Sequence, residues 1–471
     1  MGVWRVARSL DHRHGLRRVA RLLVTLATVA STGVAVTLTE PSLGTRLGLV
    51  AATPEFVPAE VQPVLGPLSP TAPSPTPAGV AAALDPLLAR SGLGRFGGMV
   101  VDPASRAVLW EKDSDRVFLP GSTAKILTAA ATLLTLDTTH RLTTQVVAGS
   151  QPGTVVLVGG GDPTLTAEPR EKDTVYPDPA RLTELAERVK RAADGPIRRV
   201  LVDTSRYEGP RLAEGWLPED VPGGYVAPIQ ALMLDGGRTD PRGQDSPRVD
   251  EPALAAGRAL ARLLGADPDA VATTRAPANA PVLATVYSAP VSDLVEHMMR
   301  TSDNVLAEVL AREVAIARGE SATFTAAAEQ ILAALTQAGF DTSGAVLVDG
   351  SGLSTRNRVP ARLLADVLAV AAAPAEGKRD TQFLRPIITG LPVAGGDGTL
   401  DDRFTGPAAT GRGVVRAKTG TLTEVTGLAG VVTNADGRLL VFAFLSNGVS
   451  PAVARPRLDS LAAAVARCGC R

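Results

Sequence analysis

Three short motifs in the chain carry hydroxyl, amine and amide side chains that could carry out acyl transfer. They are Ser122-x-x-Lys125, Ser302-Asp303-Asn304 and a Lys-Thr-Gly-Thr sequence that begins at Lys418. Residues three apart on a helix lie on one face, so the Lys125 amine is expected within reach of the Ser122 hydroxyl. Burial beside a second cation such as Lys418 disfavours the charged form of a lysine. Neutral Lys125 could then act as the base that activates Ser122.

The other polar residues of these motifs have predicted roles around the nucleophile. Ser302 is predicted to relay a proton to the leaving amine, and Asn304 to hold Lys125 and the substrate amide by hydrogen bonds. The acyl carbonyl needs two backbone N–H donors, which we assign to Ser122 and Thr421 because a helix start and an edge strand offer such groups. We therefore predict Ser122, Lys125, Ser302 and Asn304 as catalytic residues.

The third motif supplies the predicted substrate-binding residues, which are Lys418, Thr419, Gly420 and Thr421. Lys418 is expected to provide positive charge for a substrate carboxylate, and the Thr419 hydroxyl to orient that group. Taken singly, each of the three motifs could be an ordinary helix cap or turn. Their occurrence together, in this order, is what points to a reactive site.

The elements that must position these motifs can be read from local patterns. Residues 96–113 alternate apolar stretches around an Asp-Pro turn, which predicts a hairpin. A Pro-Gly break followed by an Ala-rich segment predicts a helix that begins near Ser122, and residues 291–317 are predicted as one helix containing Ser302. Three successive strands are predicted at residues 413–421, 426–433 and 439–446. Strands at both ends of the chain with helices between them predict a mixed α+β fold whose terminal segments share one sheet.

From about residue 80 to 465 the chain resembles the class C low-molecular-mass penicillin-binding proteins, the D-alanyl-D-alanine carboxypeptidase/endopeptidase family. The motif trio is typical of penicillin-binding proteins and of class A β-lactamases. Longer strings separate this family from the β-lactamases: LVGGGDPTL (157–165), YVAPIQALMLD (225–235), VDGSGLS (348–354), RVPA (358–361) and LPVAGGDGTLDDRF (391–404).

The resemblance implies a fold, an activity and a set of partners. The expected fold is the penicillin-binding/β-lactamase-like transpeptidase fold, with an antiparallel five-stranded sheet between helices and one inserted smaller domain. The expected activity is removal of terminal D-alanine from peptidoglycan stem peptides through an acyl-Ser122 intermediate, with or without cross-bridge cleavage, and with β-lactams as covalent inhibitors. No metal or organic cofactor is implied. Arg356 is a candidate contact for an acidic substrate group, although Thr355 stands where relatives often have an arginine.

The N-terminal region has the composition of an export segment and a spacer. Residues 1–21 contain six arginines and are predicted as a basic cytoplasmic tail, and the apolar residues 22–39 as a signal or membrane anchor. Residues 40–79 are predicted as a Pro/Ala-rich linker. These features predict an extracytoplasmic protein of the cell envelope, anchored or secreted. For the remainder, the predicted domains are a discontinuous catalytic domain, residues 80–142 and 272–471, and an inserted domain, residues 143–271.

Composition excludes other classes of function. Lys plus Arg and Asp plus Glu are equal at 48 each, and aromatic residues make up 3% of the chain, so neither a basic surface nor stacking rings favour nucleic-acid binding. The two cysteines, Cys468 and Cys470, provide no disulfide framework. Whether they pair with each other, stay free or link to a partner is left open by the sequence.

Two competing functions use the same residues. A β-lactamase or esterase could employ the Ser122 nucleophile, but no deacylating Glu loop is recognisable between the second and third motifs. A membrane-tethered wall-binding module with vestigial motifs is the other alternative. The intact Ser122 and Lys125 argue against it.

Overall fold

A computed structural model describes residues 71–374 and 381–470 of the chain. The strands, in chain order, are β1 (Arg95–Val101), β2 (Val108–Lys112), β3 (Val117–Phe118), β4 (Arg141–Ala148), β5 (Thr154–Gly160), β6 (Arg199–Asp203), β7 (Ala272–Thr273), β8 (Val282–Pro290), β9 (Val359–Pro360), β10 (Val415–Leu422), β11 (Val425–Thr433) and β12 (Leu439–Asn447). The helices are α1 (Pro77–Ala89), α2 (Lys125–Thr135), α3 (Leu182–Ala192), α4 (Pro252–Leu264), α5 (Val291–Thr301), α6 (Asn304–Ala317), α7 (Phe324–Gln337), α8 (Ala361–Ala372), α9 (Arg385–Thr389) and α10 (Pro451–Arg467).

The main sheet is five-stranded and antiparallel, with strand order β10-β11-β12-β1-β2. Strand β12 shows why both faces of this sheet are covered, since successive side chains point to opposite sides. Leu440, Phe442 and Phe444 pack with α1 and α10. Val441, Ala443 and Leu445 pack with α2, α6 and α8. The predicted mixed fold with an antiparallel five-stranded sheet between helices is therefore confirmed.

A second sheet has strand order β7-β6-β5-β4-β8 and packs against α3 and α4. It is mixed, because β5, β6 and β7 run parallel whereas β4 is antiparallel to both of its neighbours. Most of it lies within residues 143–271, but β4 begins at Arg141 and β8 follows residue 271. The proposed limits of an inserted domain stay a prediction.

The prediction of one helix over residues 291–317 is wrong. Helix α5 ends at Thr301, Ser302 adopts a left-handed conformation with φ +61°, and α6 begins at Asn304. The Asp303 side chain caps α6 by accepting a hydrogen bond from the Leu306 N–H at 2.8 Å. The break exists because Asp303 starts a new helix, and it turns Ser302 out of the helical face.

The predicted basic tail, the signal or anchor and nearly all of the linker, residues 1–70, lie outside the described residues. Within residues 71–374 and 381–470, no helix combines the length and apolar character that a bilayer span requires. At the other end of the chain, Cys468 and Cys470 form a disulfide with each other.

Candidate active site

Ser122 lies on a tight turn pressed against the edge strand of the main sheet. Residues 121–124 form a 3₁₀ turn that leads directly into α2, and the Thr123 hydroxyl donates to the Pro120 carbonyl oxygen at 2.7 Å. Gly121 has φ +53°, and a Cβ atom there would come within 2.9 Å of the Thr421 nitrogen. A Cβ atom on Gly420 would overlap the Pro120 carbonyl oxygen. Glycines on both sides therefore allow the turn to approach β10 closely.

Lys125 has no exposed surface and lies directly beneath Ser122. Its Nζ is 2.9 Å from Ser122 Oγ, which confirms that the i, i+3 spacing brings the two groups together. The same nitrogen donates to Asn304 Oδ1 at 2.5 Å and to the Ser351 carbonyl oxygen at 2.8 Å. Three oxygens thus fix the amine against the hydroxyl.

The Ser351 carbonyl oxygen, which sequence reasoning missed, is held in place by Asp349. This buried carboxylate accepts hydrogen bonds from the Gly352 and Ser354 N–H groups at 2.9 and 2.6 Å. It also accepts from Asn357 Nδ2 at 2.7 Å and from the indole N–H of Trp216 at 2.8 Å. The sequence signal for Asp349 and Ser351 was the VDGSGLS string (348–354), whose glycines by themselves indicate only a turn.

Glu308 supports the same loop from α6. Its carboxylate accepts from the Gly350 and Ser351 N–H groups at 3.0 and 2.8 Å. Burial, reinforced by the nearby Asp349 carboxylate, raises the pKa of Glu308 to about 7. The signal available in the sequence was an acidic residue one helical turn after Asn304, on the same face of the helix.

Opposing effects determine the basicity of Lys125. Burial is the largest, and the pKa of Lys125 falls to about 8 even though Asp349, Glu308 and Asp303 favour the charged form. The repulsion expected between the two lysines of the site acts on Lys418, whose pKa is lowered well below its ordinary value by burial and by Lys125.

Asn304 and Ser302 reach the site from the break between α5 and α6. Asn304 Oδ1 accepts from Lys125, and its Nδ2 donates to the Tyr225 carbonyl oxygen at 3.0 Å, a contact that sequence reasoning did not identify. The Ser302 hydroxyl accepts from Lys418 Nζ at 2.8 Å. The hydroxyls of Ser122 and Ser302 thus each have a lysine amine as neighbour.

Behind this break lies a fully buried ion pair. Arg238 Nη2 is 2.9 Å from Asp303 Oδ2, and the Tyr176 hydroxyl donates to the same oxygen at 3.0 Å. Although burial opposes ionisation, the nearby guanidinium groups of Arg238 and Arg248 hold the pKa of Asp303 well below its usual range. The cap of α6 therefore carries a permanent negative charge.

Lys418 is buried within β10, with no exposed surface. Besides Ser302, its amine donates to the Thr419 carbonyl oxygen at 3.1 Å. The Thr419 hydroxyl is 2.8 Å from that of Thr399, and the Thr421 hydroxyl accepts from Arg455 Nη2 at 3.2 Å. Because the amine of Lys418 does not reach the surface in this structure, its role in binding a carboxylate stays a prediction.

A cleft of about 660 Å³ opens over these groups. Its lining includes the predicted residues Ser122, Ser302, Asn304, Thr419 and Thr421. Lys125 and Lys418 lie beneath it, and Gly420 brings β10 against the Ser122 turn. All eight predicted residues therefore come together. Arg356 instead forms an ion pair with Glu214.

The fold and this cleft define a penicillin-binding type of protein. Over 82% of this chain and 97% of the other, the structure matches penicillin binding protein 4 from Haemophilus influenzae, with a TM-score of 0.65 and 22% identity. That protein has also been solved in complex with a β-lactam.

The sequence comparisons identify the family. The model of the D-Ala-D-Ala carboxypeptidase 3 (S13) family matches residues 80–247 and 240–468, and the chain belongs to this family. A carboxypeptidase of Mycobacterium tuberculosis is 46% identical over 432 residues, which cover 91% of this chain and 92% of the relative. Carboxypeptidase DacB of Mycolicibacterium smegmatis is 45% identical over 426 residues, 89% of this chain and 91% of the relative. The predicted function, a D-alanyl-D-alanine carboxypeptidase, is confirmed at this level, and the protein is a peptidase.

Proposed function

We propose that the protein hydrolyses the terminal D-alanyl-D-alanine bond of peptidoglycan stem peptides through an ester on Ser122. The observation that carries this proposal is the 2.9 Å contact between Lys125 Nζ and Ser122 Oγ, with the amine fully buried. A pKa near 8 leaves a useful fraction of Lys125 neutral at neutral pH. The neutral amine takes the hydroxyl proton as Oγ attacks the carbonyl carbon of the penultimate residue.

The oxyanion formed in this step is assigned to the backbone N–H groups of Ser122 and Thr421. The close approach of the Gly121 turn to Thr421, on the edge strand of the sheet, supports this pairing. Donors fixed before the reaction stabilise developing charge without reorganisation.

The leaving amine is assigned a proton from the Ser302 hydroxyl. The C–N bond breaks as this proton is delivered, D-alanine departs, and Lys418, 2.8 Å from Ser302 Oγ, supports the relay. The proton that Lys125 took from Ser122 replaces the one that Ser302 gave up, so Lys125 is neutral again when water attacks the ester. Lys125 accepts the water proton and returns it to Ser122 Oγ as the ester bond breaks and the shortened peptide departs as a carboxylic acid. Asn304 holds the Lys125 amine through both stages.

β-Lactams are proposed to acylate the same serine, because their strained amide presents a carbonyl and a carboxylate much as a D-alanyl-D-alanine end does. The β-lactam complex of the Haemophilus influenzae protein supports this proposal.

We also propose an extracytoplasmic location, reached through residues 22–39 as a signal or membrane anchor. The basic flank and the apolar run support export.

The test is to label the purified protein with a fluorescent penicillin and to map the labelled peptide. A long-lived adduct on Ser122 is expected, and Ser122→Ala is expected to abolish both the adduct and D-alanine release, by a factor on the order of 10⁶. Ser105→Ala, an exposed serine in a turn, is the matched control and should change neither. D-Alanine release by Ser122→Ala at the original rate would refute the mechanism. Rapid turnover of penicillin, with no persistent adduct, would favour the β-lactamase alternative.

A further inference from the structure

The arginines that line the cleft differ in how their charge is used. Arg238 and Arg403 are each paired with a carboxylate. Arg248 is buried and donates to two backbone carbonyl oxygens. Arg455 is exposed, and among the described residues its guanidinium makes a single hydrogen bond, to the hydroxyl of Thr421. Arg455 therefore lines the cleft with a guanidinium that no carboxylate of the described residues neutralises.

Arg455 is connected to the Ser122 turn through Thr421. It belongs to α10, and its contact with Thr421 brings it to the strand that packs against the Ser122 turn. The Thr421 nitrogen would be 2.9 Å from a Cβ atom on Gly121, the residue before Ser122. The guanidinium thus borders the part of the cleft that contains the Thr419 and Thr421 hydroxyls.

The other candidate cation for this part of the cleft is Lys418, and its geometry does not suit direct binding. Its side chain has no exposed surface, and its amine is engaged with Ser302 and the Thr419 carbonyl oxygen. Arginine, in contrast, offers a planar fork that matches both oxygens of a carboxylate. A ligand carboxylate beside Thr421 would meet that fork directly.

We propose that Arg455 binds the free α-carboxylate that follows the scissile bond and so selects stem peptides that end in an unblocked D-residue. The proposal rests on the acyl-Ser122 mechanism and deepens it by naming a specificity-determining residue. The carboxylate displaces the Thr421 hydroxyl as hydrogen-bond acceptor or shares the guanidinium with it. The hydroxyls of Thr419 and Thr421 then donate to the same carboxylate.

The experiment compares two peptides that differ only at the C-terminus, a D-alanyl-D-alanine peptide with a free carboxylate and the same peptide as its C-terminal amide. Arg455→Ala is expected to lower kcat/KM for the carboxylate peptide by about 10- to 100-fold, and for the amide by less than about threefold. Arg455→Lys should fall between Arg455→Ala and the unmodified enzyme. Arg467→Ala is the matched control, because Arg467 lies on the same helix and also donates to a threonine hydroxyl, that of Thr410, outside the cleft lining.

The ratio of the two kcat/KM values decides the outcome. A preserved carboxylate-to-amide ratio in Arg455→Ala would overturn the proposal, whether both rates fall together or neither changes. Loss of folding would lower both rates together and leave the ratio unchanged, so Arg455→Lys and thermal melting are measured in parallel. If Arg455 has no effect while Ser122→Ala is inactive, this inference alone fails. An active Ser122→Ala would instead remove the mechanism on which the inference rests.

Discussion

The two buried lysines of the cleft lie in opposite electrostatic surroundings. Both lack exposed surface. Lys125 is near the carboxylates of Asp349, Glu308 and Asp303, all of which favour its charged form. Lys418 has a hydroxyl and a carbonyl oxygen as partners and is repelled by Lys125.

The difference shows that burial alone does not determine what a lysine can do. Burial lowers both pKa values, but the acidic neighbours keep that of Lys125 near 8, where the amine can both take and release a proton close to neutral pH. Burial and repulsion from Lys125 lower the pKa of Lys418 well below its usual value. Lys125 is therefore suited to proton transfer, and Lys418 to holding Ser302 and β10 by hydrogen bonds.

Replacing each lysine by methionine tests this division with the largest expected effect. Lys125→Met should lower kcat/KM by about 10²- to 10⁴-fold, the usual contribution of a positioned general base. Lys418→Met should cost less, about 10- to 100-fold, because it leaves the Ser302 hydroxyl without its partner but removes no base. The measurement is steady-state D-alanine release, with the rate of penicillin acylation in parallel. Equal losses from both variants would contradict the division of roles.

The buried ion pair between Arg238 and Asp303 should contribute strongly to the stability of the fold. Arg238→Met removes the partner of Asp303 and leaves a buried carboxylate unpaired, which should lower the free energy of unfolding by about 3–5 kcal/mol. Arg170→Met is the control, since Arg170 pairs with Glu184 at an exposed position where an ion pair contributes little to stability. Urea denaturation of both variants measures the difference. Similar midpoints for the two would show that the buried pair does not stabilise this side of the cleft.

A tight backbone approach holds the Ser351 carbonyl oxygen in place beside Lys125. Gly352 has φ +83°, and a Cβ atom there would overlap the Gly121 carbonyl oxygen, so Gly352→Ala should destabilise the fold by about 2–3 kcal/mol and slow acylation. Gly437 has a similar φ, +79°, with no atom near the added Cβ. Gly437→Ala should cost only about 1 kcal/mol and leave the activity unchanged. The melting temperature and the rate of penicillin acylation are measured for both variants. Equal losses in Gly352→Ala and Gly437→Ala would show that backbone strain alone accounts for the effect, and would exclude the clash with the Gly121 carbonyl oxygen.

The sequence predicts the reactive side chains better than the groups that support them. Ser122 and Lys125 are recognisable because their types and spacing are local. The carbonyl oxygens of Ser351 and Tyr225 are not, because every residue has one and these meet Lys125 and Asn304 from positions 226 and 79 residues away in the chain. Local pattern also failed at Ser302, where the apolar periodicity continues through a break that a capping side chain creates.

The main sheet of this fold is also easier to predict from the sequence than the second sheet. The five-stranded sheet follows from apolar strands at both ends of the chain, and the resemblance implies the number of its strands and their antiparallel arrangement. The second sheet includes β7 and β8, which follow residue 271, and a strand β4 that begins at Arg141. Its membership is decided by pairing between strands far apart in the chain, such as β4 with β8, which local composition does not show.

The smallest predicted effect is a shift of the pH profile. Neutral Lys125 is the active form, so kcat/KM should rise with pH through about 8, the pKa of Lys125 in the folded protein. The Glu308 carboxylate favours the charged amine, so Glu308→Gln should move this rise to lower pH, while the maximal rate falls by less than about tenfold. Glu320→Gln, at an exposed position, is the matched control and should leave the profile where it is. A rise at unchanged pH in Glu308→Gln would mean that Glu308 does not tune Lys125. The contrast between the two lysines would then have to come from Asp349 and Asp303.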